Sequence, residues 1–335
     1  MIINTKDYKK IMKEKITALQ KLIAKKNIKT LVLPYDDPYF KWLIHEELHG
    51  YILITPKSST LLLSPLEKYE TKNLEVKKLT KENFPKKALV NQNGFNLKHS
   101  KLFEYKPIEL NLRQIKTKEE IKNIKQACKH TDNCFKQIVK KLKNKEFKSE
   151  KQIQKFIKKY AIEKELDLAF SPTIASGKNS SNEHHFPTDK LYKGFLVIDF
   201  GFKYKGYCSD MTRTLFLGKP NQNQLAQYNK VLRVQQEMIQ KSKTGADGSN
   251  LFNQTKKQFG TDEKYFTHSL GHGLGIEVHE APSLGLKKQI LQKNMVITIE
   301  PGLYKKQGVR IEDVVVVGKK PEVLTNSTKK LIIIQ

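Results

Sequence analysis

Residues 266–282 read F-T-H-S-L-G-H-G-L-G-I-E-V-H-E-A-P, a glycine- and histidine-rich stretch around which the rest of the chain can be interpreted. It contains three of the nine histidines, His268, His272 and His279. Glycines on both sides of His272 allow another backbone to approach closely. Further on, I-T-I-E-P-G-L-Y (297–304) and G-V-R-I-E-D-V-V (308–315) place Glu300 and Glu312 in apolar, strand-like runs. A carboxylate in such a run is costly unless it is paired or bound to a metal.

Two aspartates upstream lie in similar surroundings. Asp199 stands in L-V-I-D-F-G (196–201), and Asp210 stands in C-S-D-M-T-R-T (208–214). Because alternate strand residues share a face, Arg310 and Glu312 are expected to project to the same side of their strand. With His272, the carboxylates make a donor set of four acids and one imidazole. Such a set suits divalent ions, with Mn²⁺ or Co²⁺ favoured and Fe²⁺ or Zn²⁺ as alternatives.

The spacing of these residues predicts a two-metal site assembled from several strands. Two divalent ions match four negative charges in number, and such ion pairs activate water near neutral pH. Each residue also has an ordinary structural interpretation, for example Asp210 as a turn residue or Glu300 as a strand end. Their combined order and framing favour the metal interpretation. The predicted ligands are Asp199, Asp210, His272, Glu300 and Glu312.

The composition limits the class of protein. With 335 residues and 38% hydrophobic content, the chain is long enough for two domains with buried cores. No apolar run approaches the roughly 18–20 residues that span a bilayer, and the N-terminus lacks the pattern of a signal peptide. We therefore expect a soluble, cytoplasmic protein without membrane contact. Three cysteines without a C-x-x-C pair indicate reduced thiols rather than disulfides or structural zinc.

The formal net charge of +28 raises nucleic acid as a partner. However, only four of the 62 basic residues are arginines, and the lysines are spread along the whole chain. Base-reading proteins depend on the bidentate guanidinium group, so nucleic-acid binding is the less favoured interpretation. The scarcity of arginine makes Arg213 and Arg310 informative, because each lies beside a candidate metal ligand.

Hydrophobic periodicity divides the chain near residue 110. Residues 1–110 predict a small α/β domain with a helix over 4–27, a short helix near 36–45, a weak helix near 65–72, and strands between them. Residues 111–335 predict long helices, the first of which begins with a capping box formed by Thr117 and Glu120. Helix pairs followed by strands indicate an α+β domain with the helices on one side of a sheet.

The motifs together resemble the pita-bread metallopeptidases of family M24, which include methionine aminopeptidase, aminopeptidase P and prolidase. The resemblance covers residues from about 112 to 335. It implies a pita-bread catalytic domain of the α+β class over 111–335, preceded by a small α/β creatinase/prolidase-type N-terminal domain over 1–110. Homodimers are common among such relatives, so a homodimer is expected.

The resemblance also implies roles for individual residues. Asp199, Asp210, His272, Glu300 and Glu312 match the five metal ligands of the family, with Asp210 and Glu312 bridging the two ions. Glu300 is then also the general base that takes a proton from the attacking water.

Further positions match residues that contact the substrate. His184, which follows S-G-K-N, matches a substrate-binding histidine, and His279 matches the histidine that steadies the tetrahedral intermediate. His268 matches the residue that shapes a proline pocket, and Tyr304 and Arg310 match substrate-contacting positions. The expected catalytic group is therefore Glu300, His279, His184 and Arg310.

The subfamily follows from two features, the arginine of G-V-R-I-E-D and an N-terminal domain of about 110 residues. Both favour a peptidase that cleaves before proline in dipeptides or short peptides. The length favours Xaa-Pro dipeptidase (prolidase) over aminopeptidase P. A methionine-type aminopeptidase, a non-catalytic relative that binds RNA or protein, and a metal-free amidinohydrolase are less favoured. Glu183 stands where the family commonly has proline, a departure that concerns the substrate-facing rim.

Overall fold

The structure is a computed structural model that describes residues 5–80, 82, 85, 88–91, 103–106 and 110–335. The chain divides into two compact units, Met1–Arg113 and Gln114–Gln335. None of the helices in the described part of the chain combines the length and apolar character that crossing a membrane requires.

The described residues of the N-terminal unit form one mixed sheet and two helices. Its elements are α1 (Thr5–Lys25), β1 (Leu31–Pro34), α2 (Pro38–Leu43), β2 (Gly50–Ile54), β3 (Ser59–Leu63), β4 (Glu75–Lys78), β5 (Ala88–Asn91) and β6 (Phe103–Lys106). The strand order is β4-β3-β2-β1-β5-β6, with β1–β2 and β2–β3 antiparallel and the other pairs parallel. The helix α1 buries Met12, Ile16, Leu19 and Ile23 at helical spacing.

One sequence expectation for this unit is wrong. The helix expected near 65–72 does not form, and these residues are turns and irregular backbone. Leu66 is 95% exposed. The segment therefore offers no apolar stripe to bury, and a helix without one gains little from packing.

The C-terminal unit begins with two helices that lead into a series of strands. Its elements in the first half are α3 (Lys118–Lys143), α4 (Glu150–Glu163), β7 (Asp167–Leu168), β8 (Thr173–Ser176), β9 (Gly194–Phe200), β10 (Phe202–Tyr204), β11 (Tyr207–Cys208) and β12 (Met211–Leu217). Thr117 and Glu120 form the expected capping box at the start of α3, with hydrogen bonds of 3.2 and 2.8 Å.

The second half repeats this order with a second helix pair. Its elements are α5 (Gln222–Lys241), α6 (Gly248–Phe259), β13 (His272–Gly273), β14 (Glu280–Ser283), β15 (Val296–Ile299), β16 (Gly302–Tyr304), β17 (Gly308–Arg310), β18 (Asp313–Val316), β19 (Glu322–Val323) and β20 (Ile333–Ile334). Two 3-10 turns, Gly177–Ser181 and Gly260–Tyr265, complete the described elements.

The strands of this unit form two larger sheets and two smaller ones. The larger sheets have the orders β20-β12-β9-β8 and β14-β13-β15-β18-β19; the smaller ones are β11-β10-β7 and the ribbon β16-β17. One apolar cluster joins α3 and α4 to β8, β9 and β12, and a second joins α5 and α6 to β15, β17 and β18. Since Ile198 and Phe200 belong to the first cluster, strand alternation turns Asp199 to the opposite face of β9.

The three cysteines are free and buried. Burial raises the pKa of the Cys134 thiol, and of the Cys208 thiol to about 12. Both side chains are therefore neutral packing residues rather than nucleophiles.

Candidate metal centre

The two aspartates come from neighbouring antiparallel strands. In the register of β9 and β12, Asp199 lies opposite Thr212, and Asp210 immediately precedes β12. Asp210 is 4% exposed. The register places both carboxylates at the same end of the β9–β12 pair, so they can face one pocket.

His272 and Glu300 are brought together by the pairing of β13 with β15, in which Gly273 lies opposite Ile297. The backbone N–H of His272 donates to Thr298 Oγ1 at 3.1 Å, and that hydroxyl donates to Glu300 Oε1 at 3.1 Å. A Cβ added at Gly271 would lie 2.0 Å from the Thr298 carbonyl oxygen. The glycine pattern around His272 is thus required by a close backbone approach.

Glu312 lies between β17 and β18 and is tied to β12. Its backbone N–H donates to the Thr212 carbonyl oxygen at 3.1 Å, and Thr212 Oγ1 donates to Glu312 Oε2 at 2.7 Å. The carboxylate is therefore fixed in place by a residue of the strand that follows Asp210.

These elements bring the predicted ligand atoms close together. Asp210, His272 and Glu312 each offer one ligand atom, and the three atoms lie within 4.8 Å of one another. His272 Nε2 lies 3.6 Å from Asp210 Oδ2 and 3.2 Å from Glu300 Oε1. His272 Nδ1 donates to the Gly273 carbonyl oxygen at 3.1 Å, which leaves Nε2 as the nitrogen that could bind a metal.

Asp199 joins the group through Arg310, whose Nη2 donates to Asp199 Oδ2 at 2.5 Å. The second oxygen, Oδ1, is buried and has no hydrogen-bond donor in the part of the chain that the structure describes. A buried carboxylate oxygen without a donor is unfavourable. It is therefore a position where a cation would fit.

The pKa values of the clustered acids also indicate a cation site. Burial, followed by repulsion from the neighbouring acids, raises the pKa values of Asp210 and Glu312 well above their ordinary range. Burial also raises the pKa of Asp199. In Glu300 burial is outweighed by the hydrogen bond and charge of His272, which hold the pKa at about 2, while Glu300 raises the pKa of His272 to about 9 against the effect of burial. Arg310 and His272 offset part of the charge of these four acids, and divalent ions fit the charge that remains.

A hydrogen-bonded row of side chains borders the cluster. Arg310 Nη1 donates to Tyr304 Oη at 2.6 Å, and Tyr304 Oη lies 3.1 Å from His268 Nε2. His268 Nδ1 donates to the Ser269 carbonyl oxygen at 2.8 Å, so Nε2 accepts the tyrosine hydroxyl. Burial lowers the pKa of His268 and keeps it neutral. The ring of His279 lies 4.2 Å from that of His272, centroid to centroid.

His184 stands apart from this group in its exposure. The side chain is exposed, and its backbone N–H donates to Asn182 Oδ1 at 3.0 Å. The residue before it, Glu183, accepts a hydrogen bond from Thr267 Oγ1 at 3.1 Å, next to His268 in the chain. The segment carrying His184 therefore docks beside the row that contains His268.

Sequence reasoning missed the threonines that orient the predicted ligands. Thr212 Oγ1 donates to Glu312 and accepts from Arg310 Nε at 3.0 Å, and Thr298 links His272 to Glu300. Both threonines lie two positions from a predicted ligand in a strand run, Thr212 after Asp210 and Thr298 before Glu300. That shared-face spacing is the signal that could have identified them.

Arg213 behaves differently from Arg310, although both lie beside candidate ligands in the sequence. Arg213 is 1% exposed, and its Nη2 donates to Asp313 Oδ1 at 2.6 Å. It reaches Glu312 only through the backbone carbonyl oxygen. Its charge is therefore paired with Asp313 and not with the predicted metal ligands.

Comparison with known proteins agrees with this geometry. Residues 122–319 match the model of metallopeptidase family M24. The chain is 33% identical to a Xaa-Pro dipeptidase of Pyrococcus horikoshii, over 96% of this chain and 99% of that protein. A Xaa-Pro dipeptidase of Pyrococcus furiosus is 34% identical over 84% of this chain and 89% of that protein.

The fold also matches solved structures. The prolidase of Pyrococcus horikoshii superposes with a TM-score of 0.83 at 29% identity and covers 95% of this chain and 100% of its own. The expected pita-bread architecture is confirmed by these structural neighbours. With its fold, its matching relatives and its cluster of acids and histidine, the chain belongs to metallopeptidase family M24.

Proposed function

We propose that this chain is a Xaa-Pro dipeptidase that hydrolyses the peptide bond before proline with two divalent ions. The observation that carries the proposal is the cluster of buried acids beside His272, which includes Asp210 and Glu312. Arg310, Tyr304 and His268 border this cluster. The two Pyrococcus dipeptidases that match most of this chain support the substrate class. Mn²⁺ or Co²⁺ is proposed from the oxygen-rich ligand set.

The proposed ligands are Asp199, Asp210, His272, Glu300 and Glu312. When bound, the ions supply Lewis acidity and lower the pKa of water at the site. The unpartnered Asp199 Oδ1 and the raised pKa values of Asp210 and Glu312 support this assignment.

Glu300 is proposed as the general base. An ionised carboxylate at this position can accept a proton from the attacking water. The hydrogen bond from Thr298 Oγ1 orients the carboxylate. The same group would return the proton to the nitrogen of the leaving proline.

His279 is proposed to donate to the developing negative charge of the carbonyl oxygen. Burial, and then the charge of His272, lowers the pKa of His279, which favours the neutral form. A neutral imidazole still carries one N–H donor and can stabilise the oxyanion. Its ring contact with His272 at 4.2 Å places it beside the proposed ligands.

His268 and Tyr304 are proposed to form the wall against which the proline ring packs. Their ring centroids lie 5.5 Å apart, and Phe266 packs edge-on against His268 at 5.2 Å. The bond from Arg310 to Tyr304 and the bond from Tyr304 to His268 hold this wall rigid. A rigid, partly aromatic wall suits a pyrrolidine ring, and His184 is proposed to bind the substrate at the exposed rim.

The proposal extends to the remaining features. Residues 1–110 are proposed to form a creatinase/prolidase-type domain and 111–335 the catalytic domain; the prolidase of Pyrococcus horikoshii, covered along its whole length, supports this. A homodimer is proposed from the resemblance, and sedimentation velocity would test it.

The test is hydrolysis of Ala-Pro and Met-Pro beside Ala-Pro-Ala and Met-Ala-Ser, with Mn²⁺ or Co²⁺ and an EDTA control. The dipeptides are expected to be cleaved, and EDTA is expected to abolish their cleavage. A preference for Ala-Pro-Ala would make the protein an aminopeptidase P. Cleavage of Met-Ala-Ser alone would overturn the subfamily. Failure to cleave any peptide with metal bound would favour a non-catalytic relative.

A further inference from the structure

Glu150 begins α4 with a carboxylate that is fully buried. Its Oε1 accepts hydrogen bonds from the backbone N–H and Oγ of Ser176, both at 2.7 Å, and from Asn179 Nδ2 at 3.0 Å. Its Oε2 accepts from His185 Nε2 and from the backbone N–H and Oγ1 of Thr188, each at 2.8 Å. The oxygens of a carboxylate have about four lone-pair sites, so these donors saturate the group.

The donors come from two separate points of the chain. Those of Oε1 lie where β8 ends and the following 3-10 turn begins, and those of Oε2 lie after residue 184. Residues 177–187, which we name the His184 loop, run between these points. The Glu150 carboxylate therefore holds both ends of the loop in place by hydrogen bonds. The Lys151 backbone N–H, which donates to the Thr188 carbonyl oxygen at 3.1 Å, adds a further bond at the second end.

The two adjacent histidines of this loop differ in their contacts. The His185 side chain is 13% exposed and bonds to Glu150. His184 is exposed. One histidine thus anchors the loop, and its neighbour is accessible to a substrate.

The same loop contacts the elements that border the metal centre. Glu183 accepts from Thr267 at 3.1 Å, and Ser180 Oγ accepts from the backbone N–H of Gly308 at 2.9 Å. Gly308 begins β17, which carries Arg310. A Cβ at Gly308 would lie 1.9 Å from the Ser180 carbonyl oxygen. A shift in the loop would therefore displace the backbone next to both His268 and Arg310.

We propose that Glu150 is a positioning residue for substrate binding, which acts by closing the His184 loop and holding His184 in its binding conformation. The inference rests on the proposed function, since it needs His184 to contact the substrate. When the closure is released, only a fraction of molecules holds the loop in place, and the apparent affinity falls by that fraction.

The test substitutes Glu150→Gln, which keeps the shape but turns an N–H donor toward groups that are themselves donors. Glu163→Gln, at the exposed end of the same helix, is the matched control. For Ala-Pro, we expect the KM of Glu150→Gln to rise about tenfold with kcat within about twofold, and bound metal to be unchanged. Hydrogen exchange of residues 177–187 is expected to accelerate in this variant alone.

A double-mutant cycle with His184→Ala separates positioning from general stability. If Glu150 acts through His184, the double variant has the KM of His184→Ala alone, because coupled residues are not additive. Additive losses, or a fall in kcat at constant KM with uniform loosening, would overturn the proposal. Should Glu150→Gln fold poorly, Thr188→Ala removes one side-chain donor and must give a smaller change in the same direction.

Failure of the proposed function gives a distinct result. A wild-type protein that cleaves no proline dipeptide removes the substrate class, and KM is then measured with whichever peptide is cleaved. Hydrogen exchange of the His184 loop needs no substrate at all. Unchanged exchange in Glu150→Gln would contradict the proposal whatever the activity.

Discussion

Glu312 and Asp313 are consecutive buried carboxylates whose pKa values are shifted in opposite directions. Glu312 receives a side-chain hydrogen bond from Thr212, and burial and neighbouring acids raise its pKa. Asp313 receives hydrogen bonds from Arg213, Lys329, Gln235 and Thr325, and despite burial these cations and donors lower its pKa. The fold surrounds Asp313 with its own cations and donors, whereas Glu312 faces other acids, as expected of the proposed metal ligand.

The difference arises from strand geometry. Successive residues of an extended chain point to opposite sides, so one step along the backbone changes the surroundings entirely. The side of Asp313 carries the guanidinium group of Arg213, which is 1% exposed. The side of Glu312 carries Asp210 and His272. A buried acid saturated with donors is therefore interpreted as structural, whereas one that has a single side-chain donor and faces other acids is a candidate metal ligand.

The largest expected effect is that of removing the carboxylate of Glu312, a proposed metal ligand. Glu312→Gln should lower metal affinity and peptide hydrolysis by more than the roughly 10–100-fold that is typical of residues that only orient ligands. Hydrolysis measured across a metal titration would give both quantities, with Glu263→Gln as an exposed acidic control. Activity within about twofold of the wild type would contradict the ligand assignment.

A smaller effect is expected at Asp313, the acid that is surrounded by donors, and it is an effect on the stability of the fold. Asp313→Asn leaves Arg213 buried without its partner, which should lower the free energy of unfolding by about 3–5 kcal/mol. Urea denaturation of metal-free protein would measure it. Under the same conditions Glu312→Gln should be neutral or stabilising, because it removes an acid whose charged form is disfavoured by burial. Equal losses in the two variants would remove the distinction between the acids.

The smallest effect is a pH dependence at Glu150, a second saturated acid. Its hydrogen bonds lower the pKa from the ordinary value of 4.5 against the effect of burial. A lowered pKa means that the ionised group stabilises the fold above about pH 4.5, and that this stabilisation is lost as the pH falls through the folded-state pKa. The stability difference between wild type and Glu150→Gln should therefore be present at pH 7 and shrink below pH 4.5.

Urea denaturation of metal-free protein at several pH values would measure this difference. Glu163→Gln is the control and should change the unfolding free energy by no more than about 0.5 kcal/mol, as exposed substitutions usually do. A difference between wild type and Glu150→Gln that stays constant from pH 7 to below pH 4.5 would contradict the account.

The sequence predicted those features that depend on local pattern. The helix cap at Thr117 forms as expected, because capping needs only neighbouring residues. The candidate ligands were recognised because acids and a glycine-flanked histidine in apolar runs are unusual. The distances among Asp210, His272, Glu300 and Glu312 could not be read from spacing, since the strand register sets them.

The saturated acids escaped prediction for the same reason. The donors to Glu150 lie 26–38 residues away, and Glu150 in the sequence is only an acid in the first turn of a helix. The partners of Asp313 are similarly distant, with Gln235 lying 78 positions away. A charged side chain in a short segment does not reveal whether distant donors will surround it. Only the folded structure separates the two kinds of acid.

The most direct test of this account is the metal content of the purified protein. Metal-free protein would be equilibrated with Mn²⁺ or Co²⁺, dialysed, and analysed by inductively coupled plasma mass spectrometry beside Glu312→Gln and Glu263→Gln. Two ions per chain are expected in the wild type and in Glu263→Gln, with a loss in Glu312→Gln. A wild-type protein that retains no ion, or a Glu312→Gln variant that retains both, would contradict the claim that the donor-poor acids form a two-metal centre.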